Sequence, residues 1–288
     1  MKFKITFALL LTIIILASCT NKDDVNQFDE DYKKADAAQG GILYDKFWAQ
    51  EANYDQTSPN IAKVSAKADF FRCKQCHGWD LMGNTGSYIS RGPKTSRPNI
   101  AAMNLFTLAK NKTAEEIYDG MVRKTERRSL SYDLTQYDPS TNKTEGDKMP
   151  DYTELLTDAE IMNLVKFIKE GAIDVSELYD ATYTGTYPTG SSTFSNVGKN
   201  GNPANGKTFF AANCAVCHGD NGTTLTMEGM SVGQFTRKKP NEVQHKVKYG
   251  QLGSPMVGEF NISLEQMKDL YKALSNETDF PDATVTPN

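Results

Sequence analysis

Two short segments of the chain combine cysteine and histidine in the same pattern. Residues 73–77 have the sequence CKQCH, and residues 214–218 have the sequence CAVCH. Two cysteines three positions apart on a helical turn can each form a thioether to one haem, and the next residue can place its imidazole under the iron. The pattern predicts two covalently bound haem c groups. The predicted attachment residues are Cys73, Cys76, Cys214 and Cys217, and the predicted proximal ligands are His77 and His218.

A C-x-x-C pair also occurs in thiol redox motifs and in zinc sites. A thioredoxin-like motif lies near a βαβ pattern, which is absent from this sequence, and it needs no histidine after its second cysteine. A zinc site would require the two pairs to converge across about 140 residues, and it would leave the repeated histidine unexplained. The histidine therefore favours haem at both motifs.

Each haem iron has a second axial position, which methionine or histidine often fills in low-spin electron carriers. The best candidates are Met149, next to Pro150, and Met256, next to Pro255. Other methionines compete for this role, because methionine is more often a core residue than a ligand. The competitors are Met82, Met103 and Met121 in the first copy, and Met227 and Met230 in the second.

Helices are predicted before and after each candidate methionine. In the first copy, capping boxes begin at Thr113 and at Thr157; in the second, a helix is expected over residues 241–249 and a capping box begins at Ser263. The order helix, C-x-x-C-H, loop, helix, methionine turn, helix thus occurs twice, which predicts two similar small domains. The apolar residues expected to face the core are Ile117, Met121, Ile161, Leu164, Val165, Ile168, Val243, Val247, Leu264, Met267, Leu270, Tyr271 and Leu274.

This order of elements resembles class I cytochrome c. The resemblance implies an all-α fold of two tandem small cytochrome c domains, the first with a long inserted loop, and haem ligation by histidine and methionine. In that family a loop proline often presents its carbonyl to the proximal histidine, and Pro98 is the matching residue in the first copy. The expected boundaries are residues 39–172 for the first domain, 173–202 for a linker, 203–278 for the second domain and 279–288 for a tail.

The first copy is longer than the second between its histidine and its methionine. His77 and Met149 are 149 − 77 = 72 positions apart, whereas His218 and Met256 are 256 − 218 = 38 apart. The extra length includes residues 123–148, which we expect to be a solvated loop. Its basic residues could instead pair with haem propionates or an acidic partner; these are Arg123, Lys124, Arg127 and Arg128. Its oxygen-bearing residues could line a calcium site; these are Asp133, Asp138, Asn142, Glu145 and Asp147.

The N-terminus has the composition of a bacterial lipoprotein signal. Lys2 and Lys4 precede an apolar run that ends in the lipobox-like sequence LASC at residues 16–19. We expect residues 1–18 to be a signal peptide and residues 19–38 to be a flexible tether lipidated at Cys19. The protein would then be anchored in the bacterial cell envelope, facing the periplasm or the cell surface. The residue after the cysteine is not aspartate, which favours the outer membrane over the inner one.

Composition narrows the functional classes further. A net charge of −4 and a pI near 5.5 argue against a nucleic-acid partner. His245 has no assigned role, and we expect it on the surface of a helix.

The sequence predicts a membrane-anchored dihaem cytochrome that carries single electrons between redox protein partners, with no obvious small-molecule substrate. The alternatives are a dihaem oxidoreductase such as a cytochrome c peroxidase, and a haem subunit docked on a larger membrane oxidoreductase.

Overall fold

The computed structural model describes residues 22–141 and 144–283. The signal peptide and Cys19 lie outside the described residues. Across the described part, no helix is both long enough and apolar enough to cross a bilayer. The helices are α1 (Lys22–Lys34), α2 (Ala37–Leu43), α3 (Ile61–Ala66), α4 (Cys73–His77), α5 (Leu105–Asn111), α6 (Ala114–Val122), α7 (Asp158–Lys166), α8 (Pro203–Asn213), α9 (Ala215–His218), α10 (Val232–Lys238), α11 (Pro240–Tyr249) and α12 (Leu264–Leu274).

The three predicted capping boxes begin the helices as expected. Thr113 caps α6, Thr157 caps α7 and Ser263 caps α12, each with reciprocal hydrogen bonds to the residue three positions later. Most of the apolar faces are buried as predicted. Leu264 is an exception, because it occupies the first position of α12 and is 38% exposed.

Buried apolar residues form two large cores. The first is built mainly from residues 42–168, and the second from residues 175–280. The first core also contains Tyr249 and Leu252, from the end of α11 and the loop that follows it. The two parts of the chain are therefore joined by buried residues as well as by the connecting segment.

The connecting segment, which we predicted as a linker, contains a short hairpin. Strands β1 (Asp180–Thr184) and β2 (Ser191–Ser195) pair in antiparallel register. In the turn between them, the hydroxyl of Tyr187 accepts a hydrogen bond from the backbone N–H of Ile100, at 3.0 Å. The hairpin is thus fixed to a loop of the first copy.

The N-terminal segment differs from the flexible tether that its composition predicted. Residues 22–34 form α1, and Phe28 packs edge-on against Tyr118 at a ring distance of 5.7 Å. The Tyr32 hydroxyl donates to the carboxylate of Glu170 at 2.7 Å. Phe28 and Tyr32 are four positions apart and so share one helix face, which lets a polar segment dock on the first copy.

The expectation of a solvated loop for residues 123–148 is only partly right, because most of its described residues are exposed or half-buried but a few are buried. Leu130, Leu134 and Tyr137 are buried in the first core, and the Arg128 side chain is only 1% exposed. The segment is therefore part of the fold, because its few apolar residues point inward. Asn142, one of the candidate calcium ligands, lies outside the described residues. Among the described residues no group of acidic, histidine or cysteine side chains is arranged to hold a metal ion.

Candidate haem sites

Both C-x-x-C-H motifs form a single helical turn that ends at a glycine. Cys73–His77 is α4 and ends at Gly78, with φ of 77°; α9 ends at Gly219, with φ of 75°. A Cβ at Gly78 would lie 2.5 Å from a carboxylate oxygen of Asp80. The glycine after each histidine is thus required by a left-handed turn.

The four residues predicted for the first site line one cavity of about 290 Å³. Cys73, Cys76 and His77 come from α4, and Met149 comes from the segment before α7. The other walls are largely apolar, as the pocket of a buried haem requires. They include Phe70, Leu105, Leu108, Ile117, Leu164 and Ile168.

The second site is smaller and more exposed. A cavity of about 40 Å³ is lined by Cys214, His218 and Met256. Cys217 is exposed and does not line it. Three of the four predicted residues therefore lie together, and the fourth lies outside the cavity.

Burial holds three of the motif thiols in the protonated form. Burial raises the pKa of Cys73 to about 11 and that of Cys76 to about 12. Burial likewise raises the pKa of Cys214 to about 11. A thiol redox motif needs a lowered pKa at its nucleophile, and zinc binds thiolates. These pKa shifts, and the absence of a convergent metal cluster in the described residues, argue against both alternatives to haem.

The two histidines share one feature that fits a haem ligand. Burial lowers the pKa of His77 to about 4, although the Met103 backbone acts to raise it, and burial also lowers the pKa of His218. Both are held as the neutral imidazole, which is the form that binds iron. In the described structure the Nδ1 atoms of both are buried without a hydrogen-bond partner. The expected bond from His77 to the Pro98 carbonyl is therefore absent.

Competing methionines remain close to each candidate ligand. Met103 and Met121 line the first cavity with Met149, and Met227 lines the second with Met256. The Met103 backbone approaches His77, which places that residue on the histidine side. Met82 and Met230 line neither cavity. Met149 and Met256 stay predictions.

Two tyrosines hold α4 in place and were not predicted as site residues. The Tyr44 hydroxyl donates to the carbonyl of Gly78 at 2.8 Å, and the Tyr152 hydroxyl donates to the carbonyl of Phe71 at 2.5 Å. Tyr152 Oη also lies 3.7 Å from Cys73 Sγ. Tyr152 follows Met149 by three residues, which is the only signal for it in the sequence. Tyr44 has none beyond its place in an apolar segment.

The expectation that His245 is a surface residue is wrong. Its side chain is 2% exposed, and its Nε2 donates to the carbonyl of Gly41 at 2.9 Å. Its ring lies 4.7 Å from that of Trp79, which follows His77 by two positions. The helix is therefore covered by the first copy, which a local pattern could not reveal.

Helix α11 contacts both sites. On one side, Gln244 donates to the backbone carbonyl of Trp79 at 2.7 Å. On the other, Val243, Lys246 and Val247 line the second cavity. One helix of ten residues thus packs against the segment that follows His77 and also forms a wall of the second cavity.

Comparison with known families supports a c-type cytochrome. Residues 58–172 match the family described as cytochrome c, and residues 201–272 match the family described as cytochrome C oxidase, cbb3-type, subunit III. The chain thus contains a cytochrome c domain and a cbb3-type cytochrome c domain. Such domains imply covalently bound haem c and electron transfer. No curated protein and no solved structure matches the chain.

Proposed function

We propose that this protein is a dihaem cytochrome c, built from two tandem domains, that carries single electrons between redox proteins. The observation that carries the proposal is that each cavity places a methionine together with the histidine and at least one cysteine of its own motif. When bound, haem c supplies one-electron chemistry at its iron. Each methionine is far from its motif in the sequence and reaches the same cavity only through the tertiary fold. A C-x-x-C-H motif that arose by chance would not be expected to lie beside such a methionine.

The residues of the chain account for the other requirements of an electron carrier. Apolar side chains form most of the wall of the first cavity, and Tyr44 and Tyr152 fix the helix that carries its cysteines. Helix α11 lies between the second cavity and the segment after His77. Its His245 ring packs against the ring of Trp79 in that segment. Rigid packing of this kind limits rearrangement when the charge of a site changes.

Spectroelectrochemical titration of the purified holoprotein tests the proposal. We expect two one-electron steps, low-spin iron at both sites, and neither cyanide binding nor peroxide consumption. High-spin iron in the protein as isolated, together with peroxide turnover, would contradict the carrier function and favour a dihaem peroxidase. Such an enzyme needs an open iron position and a nearby acid or base.

We also propose that Cys19 carries lipid and holds the protein in the cell envelope, on the outer rather than the inner membrane. The support is the LASC sequence after a basic and apolar segment. Metabolic labelling with a fatty acid should mark the wild-type protein and leave Cys19→Ser unlabelled. Recovery of an unlabelled wild-type protein from the soluble envelope fraction would contradict the anchor.

The second family match favours one further candidate function. Its name describes a subunit of an oxidase, so residues 201–272 could dock on a larger membrane oxidoreductase. Native electrophoresis of gently solubilised membranes distinguishes the two. A free carrier migrates near its own mass, whereas a docked subunit migrates with haem-stained complexes several times larger.

A further inference from the structure

Arg128 is a fully buried cation beside the first site. Its side chain is 1% exposed, although arginine is almost never fully buried unless paired. Its Nη2 donates to the carbonyl of Phe70 at 2.7 Å, and its Nε has no partner. Within the described part of the chain its guanidinium makes no ion pair with a carboxylate. The guanidinium thus has no carboxylate in direct contact, although burial lowers its pKa and the charge of Glu145 acts to raise it.

Arg128 lies beside both segments that supply the predicted ligands and attachment residues of the first site. The guanidinium Cζ lies 4.9 Å from the centre of the Phe71 ring, just before the C-x-x-C-H helix, and its charge acts on Cys76. The Arg128 backbone N–H donates to the carbonyl of Met149 at 2.9 Å. Its carbonyl accepts from the N–H of Asp151, also at 2.9 Å. One residue thus contacts the segments that supply the predicted axial methionine and the predicted thioethers.

The two sites differ in the cations around them. The cation that lines the second cavity is Lys246, which forms an ion pair with Glu242 at 3.2 Å. The first cavity is lined by Arg123 and Arg127, which make no ion pair within the described part of the chain. Arg128 lines neither cavity, but it is the most deeply buried cation beside the first one. The first site is therefore the more positive of the two, and Arg128 is its buried cation.

We propose that Arg128 raises the reduction potential of a haem held by the first site and places it above that of the second. This inference depends on the proposed function, in which both motifs attach haem. Reduction of a bound haem iron by one electron from a redox partner would remove one positive charge from the site, so a fixed neighbouring cation would favour the reduced form. Burial preserves the effect, because water and salt screen exposed charges.

Redox titration of the holoprotein and three variants tests the proposal. Arg128→Gln removes the charge and keeps a donor for the Phe70 carbonyl, Arg128→Lys keeps the charge, and Lys124→Gln removes an exposed charge from the same segment. We expect Arg128→Gln to lower the higher of the two midpoint potentials and to leave the other unchanged. Arg128→Lys and Lys124→Gln should leave both potentials near the wild-type values.

An unchanged higher potential in Arg128→Gln would overturn the proposal, as would an equal decrease in Arg128→Lys. The absorption band of methionine-ligated ferric haem is recorded for every variant. Its loss from either Arg128 variant would also overturn the proposal, because the ligand and not the charge would then set the potential. Peptide mass spectrometry of the wild-type protein separates the two hypotheses, since a peptide 73–77 without haem overturns the proposed function itself.

Discussion

His245 shows how one buried side chain connects the stability of this protein with pH. Burial lowers its pKa from 6.5 to about 4; Asp45 acts to raise it, and Lys246 and Lys74 act to lower it. Between these two pH values the unfolded chain binds more protons than the folded one, so acid favours unfolding. This contribution to stability is complete above pH 6.5 and decreases as the pH falls towards 4.

We expect His245→Phe to reduce this pH dependence. The wild-type protein should lose on the order of 3 kcal/mol of unfolding free energy from this group between pH 6.5 and 4. Phenylalanine keeps the aromatic packing and does not titrate. Urea unfolding at pH 6.5, 5.5 and 4.5 gives the unfolding free energy of both proteins at each pH. An equal dependence of this free energy on pH in the two proteins would contradict the prediction. Burial acts to raise the pKa of Asp45, but Arg72, Lys74 and His245 together outweigh burial and lower it, so Asp45 titrates below this range.

The axial ligand of the first site can be tested against a competing methionine of the same cavity. Met149→Leu should remove the methionine–iron absorption band of the first site and lower its potential, because methionine ligation raises the potential. Met121→Leu is the matched control, since Met121 lines the same cavity. Both exchanges nearly conserve volume and should cost less than about 1.5 kcal/mol of stability. Loss of the band in Met121→Leu alone would assign the ligand to α6.

Residue types predicted the attachment sites better than they predicted burial. The cysteines and histidines of both motifs are close in sequence, so their spacing was visible without any tertiary structure. Arg128 and His245 are polar, and polar residues are mostly exposed. Their burial depends on segments far away in the chain, such as Phe70 and Gly41, and no local pattern indicates such contacts.

At the scale of elements, the loop after α11 positions Met256. Gly250 ends the helix with φ of 80°, and a Cβ there would lie 2.8 Å from the Met256 carbonyl oxygen. The N–H of Gln251 donates to the same carbonyl at 3.2 Å. The glycine thus allows the methionine turn to approach the end of the helix.

We expect Gly250→Ala to displace this turn. The left-handed backbone and the close contact should together cost roughly 1–3 kcal/mol and weaken methionine ligation at the second site alone. Absorption and redox titration measure this. Val257→Ala is the control, because Val257 neighbours the ligand and is 78% exposed. Unchanged methionine ligation in Gly250→Ala would show that the position of Met256 does not depend on its close contact with Gly250.

Elements with local signals were predicted well. The capping boxes at Thr113, Thr157 and Ser263 require only residues three positions apart, so each helix start could be found from the sequence. The helix at residues 22–34 and the buried part of residues 123–148 were missed. Both are rich in polar residues, and a few aromatic and apolar side chains in each pack on the first copy.

In the whole molecule, the two halves share a packed interface that the predicted repeat did not indicate. Tyr249 of α11 is 3% exposed, and its hydroxyl donates to the carbonyl of Gly171 at 2.6 Å. A Cβ on Gly41 would lie 2.3 Å from the Tyr249 ring, so the packing leaves no free space there. The repeated order of elements predicted two similar halves, but the surface between them depends on packing that no repeat contains.

We expect Tyr249→Ala to uncouple the two halves. Removing a buried aromatic ring costs about 3–5 kcal/mol, and here the loss falls on the interface. Thermal unfolding followed by circular dichroism and haem absorbance should change from one transition to two. Phe260→Ala, at a partly exposed residue 6.5 Å away, should keep a single transition. One transition in both variants would mean that other contacts couple the halves.

Every part of the proposed function requires that both C-x-x-C-H motifs attach haem. The most direct test is mass spectrometry of the mature protein from a cell with haem-attachment machinery, intact and after proteolysis. We predict an intact mass with two haems, and haem on both the peptide with Cys73 and Cys76 and the peptide with Cys214 and Cys217. Haem on only one of these peptides, or on neither, would contradict the account.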